Sequence, residues 1–398
     1  MPSIHTDQPC CPRRPSTPSR PLPPGEAEGP FPGLVVDTYG ATDVVKLYTL
    51  SWLPHLSALL PHLVAPGSGR IVLRLARNVR SDPDLARLGL ADGAVVAGVT
   101  TWGALPGDCP EEGRVLFREN GMTLEADPMR GQKAREGRGR EGRRGRDRER
   151  ETQMQNETTD PPSPPPPQTG FFLDQRDARS RIASLVASAI DHGRDRGEVH
   201  PHVTLLNLFS FSGGFSLSAA RAGAAHVVDV DVSRHALDAS LRNFAYNIGE
   251  HPTIGRCRHD TVAADVFAFL RGDDSSVPSS PTAPSKVSAS SRSIFDVVVS
   301  DPPALTRQMR DVDSALRQYR ELAKAAARRV SPGGALAAFS CSAHVSSEAF
   351  ESATLDGARA AGRRPVLEGE RLGHCADHPV RTAFPEGRYL KGVVLRLS

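Results

Sequence analysis

The stretch that decides the fold class is Val203-Thr204-Leu205-Leu206-Asn207-Leu208-Phe209-Ser210-Phe211-Ser212-Gly213-Gly214-Phe215. It opens as an apolar run typical of a buried strand. It breaks at two glycines and continues into a helix over 215–222. Paired glycines let the backbone approach a ligand closely, and the start of a helix leaves N–H groups without intrahelical partners. A tight turn with no ligand would have the same sequence. The alternation then repeats. Strands are predicted at 227–231, 295–301 and 335–341, the last entered through Gly333-Gly334. Helices are predicted after Ser233 to about Asn247, from Asp265 to Leu270, over 312–329 and over 347–361, and two closing strands near 366–370 and 389–397. Strand–helix alternation of this kind means a mostly parallel α/β sheet with helices on both faces.

In such sheets ligands bind outside the carboxyl ends of the strands. The second strand ends at Asp231, about 20 residues beyond the glycine turn, where a carboxylate can accept from two ribose hydroxyls. Asp229 shares its face but lies deeper, so Asp231 is preferred. Asp265 is placed to accept from an adenine amino group, or simply to cap its helix. The turn lacks both a P-loop lysine and the G-x-G-x-x-G spacing, which disfavours ATP and NAD. The fourth strand ends in Ser300-Asp301-Pro302-Pro303. The two prolines fix an extended backbone and remove two N–H groups, turning carbonyls and the Asp301 carboxylate toward the cleft. A rigid turn is the bland alternative; a methyltransferase acting on a nucleobase is the functional one. The fifth strand ends in Phe339-Ser340-Cys341-Ser342. A buried structural thiol is the default for such a cysteine. The strand-end position favours a reactive thiolate in electropositive surroundings, with a lowered pKa.

The rest of the 398 residues divides by composition. Residues 1–32 are Pro-rich and read as disordered. Within the first 25, Asp7 is the only acid, a composition that suits either plain disorder or an organelle (chloroplast or mitochondrion) transit peptide; without one, the location would be cytoplasmic. Residues 33–130 read as a smaller α/β domain, with strands at 34–37, 71–76 and 94–99 and a short helix over 53–63 limited by Pro54 and Pro61. Residues 131–168 read as a disordered insertion: Arg130 to Arg150 carries ten Arg or Lys against four acids, and Pro161 to Pro167 holds six Pro in seven residues. Residues 169–398 form the second domain, interrupted by a Ser-rich loop at 271–293 with nine Ser in 23 residues. The six cysteines show no zinc or disulfide spacing, so no metal is expected. No apolar run reaches the roughly 18–20 residues that span a bilayer. The net charge of +3 neither demands nor excludes a nucleic acid.

These residues resemble a known family. The C-terminal half is similar to the bacterial 23S ribosomal RNA cytosine-C5 methyltransferases of class I, the type that carries an N-terminal PUA domain. The matching blocks are Thr169-Gly170-Phe171-Phe172-Leu173-Asp174-Gln175-Arg176-Asp177, Leu206 to Phe215, Asp301-Pro302-Pro303, Phe339 to Ser342, Asp377-His378-Pro379-Val380, and Phe384-Pro385-Glu386-Gly387-Arg388-Tyr389-Leu390-Lys391-Gly392. A weaker match runs through 33–133, at Gly33-Leu34-Val35-Val36-Asp37 and Glu119-Asn120-Gly121-Met122. The chain departs from the family in three ways. Only 32 low-complexity residues precede Gly33, where the family has its PUA domain. Ala304 and Leu305 follow Asp301-Pro302-Pro303, where the family often has Lys or an aromatic. The basic insertion separates Gln132-Lys133 from Thr169-Gly170, a junction the family reads through.

The resemblance implies a Rossmann-like class I methyltransferase sheet, mostly parallel with an antiparallel last strand, and S-adenosyl-L-methionine as cofactor. It implies a base in RNA as acceptor and no membrane partner; a homodimer is compatible with it. Cofactor contacts are expected from Arg176, Asn207, Phe209, Ser210, Gly213, Gly214, Asp231, Asp265 and Asp301, and substrate contacts from Pro302 and Pro303. For C5 chemistry it implies Cys341 as nucleophile, with Asp301 at the N3/N4 edge of the base. Cys375 is the rival thiol. Two other readings compete: N-methylation of adenine or guanine, with Asp301 and the Pro302 carbonyl on the exocyclic amine, and a non-catalytic RNA-binding protein on the same fold. Deleting residues 134–168 is expected to leave the melting temperature and cofactor affinity nearly unchanged, because a long surface loop costs little to close. A large stability loss in that deletion would show the segment to be structural, whereas RNA affinity falling with a shallower salt dependence would make it an RNA-binding arm.

Overall fold

The computed structural model describes residues 33–63, 68–101, 104–105, 107–109, 113–128, 171–272, 293–306, 308–375 and 388–398. The N-terminal stretch, the basic insertion, most of the Ser-rich loop and the Asp377-to-Val380 block lie outside them.

The chain begins with β1 (Leu34–Tyr39), β2 (Thr42–Leu47), α1 (Leu56–Leu63), β3 (Arg70–Leu75), α2 (Arg77–Arg80), α3 (Pro83–Arg87) and β4 (Val95–Gly98). These strands form a sheet in the order β1-β2-β3-β4, with β2 and β3 parallel. A second, three-stranded sheet holds β5 (Asp108–Cys109), β6 (Arg114–Glu119) and β7 (Met122–Ala126).

Helix α4 (Arg176–Asp195) leads into the main unit. There follow β8 (Thr204–Leu208), α5 (Gly214–Arg221), β9 (His226–Asp231), α6 (Arg234–Asn247), α7 (Pro252–Arg256), β10 (Arg258–Ala263), α8 (Val266–Arg271), β11 (Phe295–Ser300), α9 (Val312–Ala327), β12 (Val330–Ser340), α10 (Ser347–Ala360), β13 (Pro365–Leu367) and β14 (Lys391–Leu397). The seven strands lie in the order β10-β9-β8-β11-β12-β14-β13. The β8–β9, β9–β10, β8–β11 and β11–β12 pairs are parallel, and β14 runs antiparallel to both neighbours. The expected class I sheet is therefore present. Gly333 and Gly334 fall inside β12 rather than ahead of it, where the β11–β12 register shifts between Phe295 and Val297.

Alternation along the strands sends side chains to two faces. Leu205, Val227, Val297 and Ala335 pack with Ile182 and Leu185 of α4 and Leu217 of α5. Leu206, Val228, Val298 and Leu336 pack with Leu322 of α9 and Ala358 of α10. Each fully buried leucine among them stabilises the fold by roughly 1.5–3 kcal/mol. The first of these cores also takes in Tyr39, Phe117, Met122 and Leu124 from the N-terminal sheets. Tyr39 and Phe171 flank Phe117 at ring distances of 5.3 and 5.2 Å, and the Tyr39 hydroxyl donates to the Phe171 carbonyl. Strand β7 docks on α6 through Asn243 and Asn247, whose carboxamide oxygens accept from the Glu125 and Thr123 amides.

Candidate active site

The change of direction in strand order falls between β8 and β11, and the predicted site residues gather there. The turn after β8 is held under strain. Phe209 and Phe211 adopt φ of +58° and +53°, and Gly213 a φ of +73°. For a bulky residue the left-handed region costs about 1–3 kcal/mol and needs support from its surroundings. Phe211 has it: its N–H donates to Asp231 Oδ2 at 2.9 Å, and its ring packs on Phe172 at 5.1 Å. Phe209 packs edge-on against Phe267. A Cβ on Gly213 would stand 1.9 Å from Ser240 Oγ, so this position admits glycine alone.

Beneath the turn lies Asp229, fully buried. Its Oδ1 accepts from Asn207 Nδ2 at 3.0 Å and from Ser216 Oγ at 2.5 Å. Its Oδ2 accepts from Ser240 Oγ at 2.5 Å and faces His259 Nε2 at 2.8 Å. His259 in turn stacks on Phe244. Asn207, expected on the cleft wall, is itself fully buried and spends its amide on this network. It supports the turn from below. Asp231 is nearer the surface. Besides the Phe211 bond it accepts from the Ser233 N–H, and burial raises its pKa. Asp265 is exposed at the start of α8 and caps it, with Oδ1 accepting from the Ala268 N–H. Among the described residues the buried hydroxyl oxygens of Ser210 and Ser212 have no hydrogen-bond partner, which leaves polar capacity within the turn.

Arg176 does not stand free over the cofactor end of the cleft: its Nε pairs with Glu119 at 3.3 Å. Nothing in the local pattern singles out Arg179, yet it is the deeper of the two. Both its Nε and Nη2 donate to Glu119 at 2.6 Å, its Nη1 donates to the Phe172 carbonyl, and it lies against Gly214 and the Phe171 ring.

At the end of β11, the Asp301 carboxylate accepts from Gln175 Nε2 at 2.8 Å. Burial, with a smaller push from Asp174, lifts its pKa from 3.8 to about 7. An acid raised this way holds its proton more tightly folded than unfolded, so its contribution is fully favourable below pH 4 and is lost as pH climbs through 7. Asp301→Asn is accordingly expected to melt at a higher temperature than the wild type at pH 8 and at the same temperature near pH 4. An equal difference at both pH values would contradict the assignment.

Cys341 follows β12, the neighbour of β11, and its Sγ lies 3.9 Å from the Pro302 carbonyl. The structure thus brings Cys341, Asp301 and Pro302 together. It corrects the expected electrostatics. Burial, then Asp301 and Asp174, push the Cys341 thiol up to about 12, against Lys391 and a backbone hydrogen bond at Cys341. Cys375 is buried behind Asp174, its Sγ donating to the Leu173 carbonyl, and it plays a packing part. Further residues that the sequence did not single out complete the cluster. Tyr389 donates its hydroxyl to Asp174 at 2.7 Å. Tyr319 takes a bond from Ser340 and meets Ser342, whose hydroxyl accepts from the Leu305 N–H, so the Cys341 turn is tied to the segment after Asp301-Pro302-Pro303. Among the described residues no group of three or more His, Cys, Asp or Glu is placed to hold a metal ion, and no helix is long and apolar enough to cross a membrane.

No family model matches the chain. It is 38% identical over 376 residues to the ribosomal RNA large subunit methyltransferase of Deinococcus radiodurans, covering 94% of this chain and 71% of that protein. It is 30% identical over 374 residues to ribosomal RNA large subunit methyltransferase I of Shewanella frigidimarina, covering 94% and 72%. Among solved structures, the fold is similar to a methyltransferase complexed with SAH (TM-score 0.62, 20% identity, 94% of this chain and 73% of that one). It is likewise similar to a SAM-dependent methyltransferase from Streptococcus mutans (TM-score 0.60, 19% identity, 92% and 72%). At these identities the structural likeness speaks for the fold.

Proposed function

Because the chain belongs to the ribosomal RNA large subunit methyltransferases, we propose that it transfers a methyl group from S-adenosylmethionine to C5 of a cytosine in large-subunit ribosomal RNA. The observation that carries the C5 assignment is the juxtaposition of Cys341 with Asp301 and Pro302 at the ends of two neighbouring strands. The test is nucleoside mass spectrometry of ribosomal RNA from cells with and without the gene. 5-Methylcytidine should disappear from one position; an N-methylated purine disappearing instead would overturn the assignment.

The residues present suit the cofactor. The left-handed turn at Phe209–Gly213 exposes backbone to a ligand, Ser210 and Ser212 hold unspent hydroxyls, and Asp231 and Asp265 stand at consecutive strand ends. S-adenosylmethionine supplies an electrophilic methyl group when bound there. Asp231 would hold its ribose, Asp265 its adenine amine, and the Gly213-Gly214 turn its amino-acid end. Arg176 and Arg179 would act indirectly, through Glu119. In calorimetry the wild type should bind with micromolar affinity, roughly −8 kcal/mol. Asp231→Ala should weaken binding about tenfold or more, the scale of 1.4 kcal/mol. Unchanged affinity would remove the ribose contact.

The C5 carbon of cytosine is too poor a nucleophile to take a methyl group unaided. A Cys341 thiolate adding to C6 converts C5 into an enamine-like carbon, splitting one difficult step into two. Charge then develops at N3, where Asp301 would lie. With a pKa near 7, Asp301 carries a proton in a large share of molecules at neutral pH and can hand it to N3 as the adduct forms. Once C5 has taken the methyl group, the C5 proton leaves to water, the C6–sulfur bond breaks to return the Cys341 thiolate, and N3 gives its proton back to Asp301. One observation favours the N-methylation reading instead: a thiol held near 12 is a weak starting point for nucleophilic attack.

A further inference from the structure

We propose that Lys391 is the counter-ion of the Cys341 thiolate, a positioning residue that makes the buried thiol competent to add to the base. The inference rests on the covalent reading of Cys341 above.

Lys391 begins β14, opposite Ser340 in the β12–β14 register, one residue before Cys341. Its side chain is buried, and its Nζ donates to two backbone carbonyls, Ser342 and Tyr389, both at 2.8 Å. These bonds anchor the ammonium at the turn that carries Cys341. Among the described residues no carboxylate pairs with it. Three other buried cations meet an acid: Arg70 has Asp108, Arg74 has Asp92, and Arg179 has Glu119. A buried cation without a counter-charge is costly, and proteins seldom keep one. Among the described residues, Cys341 is the ionisable neighbour that favours the Lys391 ammonium. Conversely, of the groups acting on Cys341, Asp301 and Asp174 oppose the thiolate, and Lys391 is the side chain that favours it.

The charge arithmetic of the cluster follows. A thiolate beside Asp174 and the partly protonated Asp301 alone would add a further negative charge to a dry site. With Lys391 protonated, loss of the Cys341 proton to water produces an ammonium–thiolate pair with no net charge. When the sulfur electron pair forms the bond to C6, the negative charge moves into the pyrimidine ring and is met by the proton held at Asp301. Burial lowers the Lys391 pKa to about 8, so the ammonium is present at neutral pH and fades above it.

The test is site-resolved alkylation of Cys341 by iodoacetamide in the full chain, read by peptide mass spectrometry, with Cys257 as internal reference. Lys391→Gln keeps donors for the two carbonyls but removes the charge; Lys391→Met removes both. At pH 7.5 both variants should alkylate Cys341 about tenfold more slowly than the wild type, equivalent to one pKa unit. Cys257 should react at the wild-type rate, and the wild-type advantage should shrink as pH rises through 8. Lys391→Gln reacting as fast as the wild type, with only Lys391→Met slowed, would make Lys391 a backbone fastener and overturn the proposal. A wild-type advantage that is constant with pH would do the same. Thiol alkylation does not require methyl transfer, so this outcome is independent of whether Cys341 attacks cytosine. If Cys341→Ala still methylates C5, the covalent reading fails whatever the alkylation rates.

Discussion

Cys341→Ala should lose methyl transfer by on the order of 10³-fold or more while binding S-adenosylmethionine as the wild type does, because removing a covalent nucleophile closes the reaction path rather than slowing it. The sharper form of the experiment uses RNA carrying 5-fluorocytosine. In the wild type, Cys341 adds to C6 and the methyl group reaches C5. Fluorine then blocks the elimination that needs a C5 proton, so protein and RNA remain joined and migrate together on a denaturing gel. Cys341→Ala should form no such adduct, and Cys375→Ala should form it normally, since Cys375 is buried behind Asp174 with its thiol spent on the Leu173 carbonyl. Full methylation by Cys341→Ala would remove the C5 mechanism. The work would then fall to Asp301 and the Pro302 carbonyl, on an exocyclic amine.

The second large effect concerns two aspartates that sit two residues apart on one strand. Asp229→Ala should destabilise the fold by about 3 kcal/mol or more, because several buried polar groups lose their partner at once, each at about 1–3 kcal/mol. It leaves Asn207, Ser216, Ser240 and His259 facing a hole where the carboxylate stood. Asp231→Ala should cost less, about 1–2 kcal/mol, because it loses only the bonds from the Phe211 and Ser233 amides at the strand end beside the cleft. The cofactor measurements should reverse the ranking, provided they are made on folded protein at low temperature. If both variants unfolded alike, Asp231 would be a second structural carboxylate, and the ribose contact would need another owner.

The sequence revealed the sheet because its parallel strands are apolar on both faces: β8, β9 and β11 are short runs of Leu and Val that a helix or loop could not use. The N-terminal sheets were harder. Strand β2 ends in Lys46-Leu47, β3 begins with Arg70 and contains Arg74, and β6 and β7 carry Glu119 and Glu125. Read locally these are polar positions. Most are buried because the charge meets a partner from another strand or helix, as Arg70 meets Asp108 and Arg114 and Arg242 meet Glu125, while Lys46 lies over the Tyr48 ring. No periodicity anticipates such pairs. The site divides in the same way. Asp231, Asp301 and Cys341 were legible because a residue at the carboxyl end of a parallel strand has only one place to go. Gln175, Tyr319 and Lys391 reach the cluster from a 3-10 turn, a helix and an antiparallel strand, and only the assembled fold brings them together. The charge state of Cys341 was misjudged for that reason: its acidic neighbours come from other elements.

The Glu119–Arg179 contact has a consequence for how this chain can be divided or recombined. Glu119 belongs to the β6–β7 hairpin, while Arg179 lies beneath Gly214 on the other side of the basic insertion. A fragment that starts after the insertion would keep Arg179 without its acid, and expose the α6 amides that clasp β7. The catalytic half is therefore not a portable cassette. A graft onto another RNA-binding module would have to carry the hairpin with it, and inheritance should keep the two pieces together even where the stretch between them varies in length.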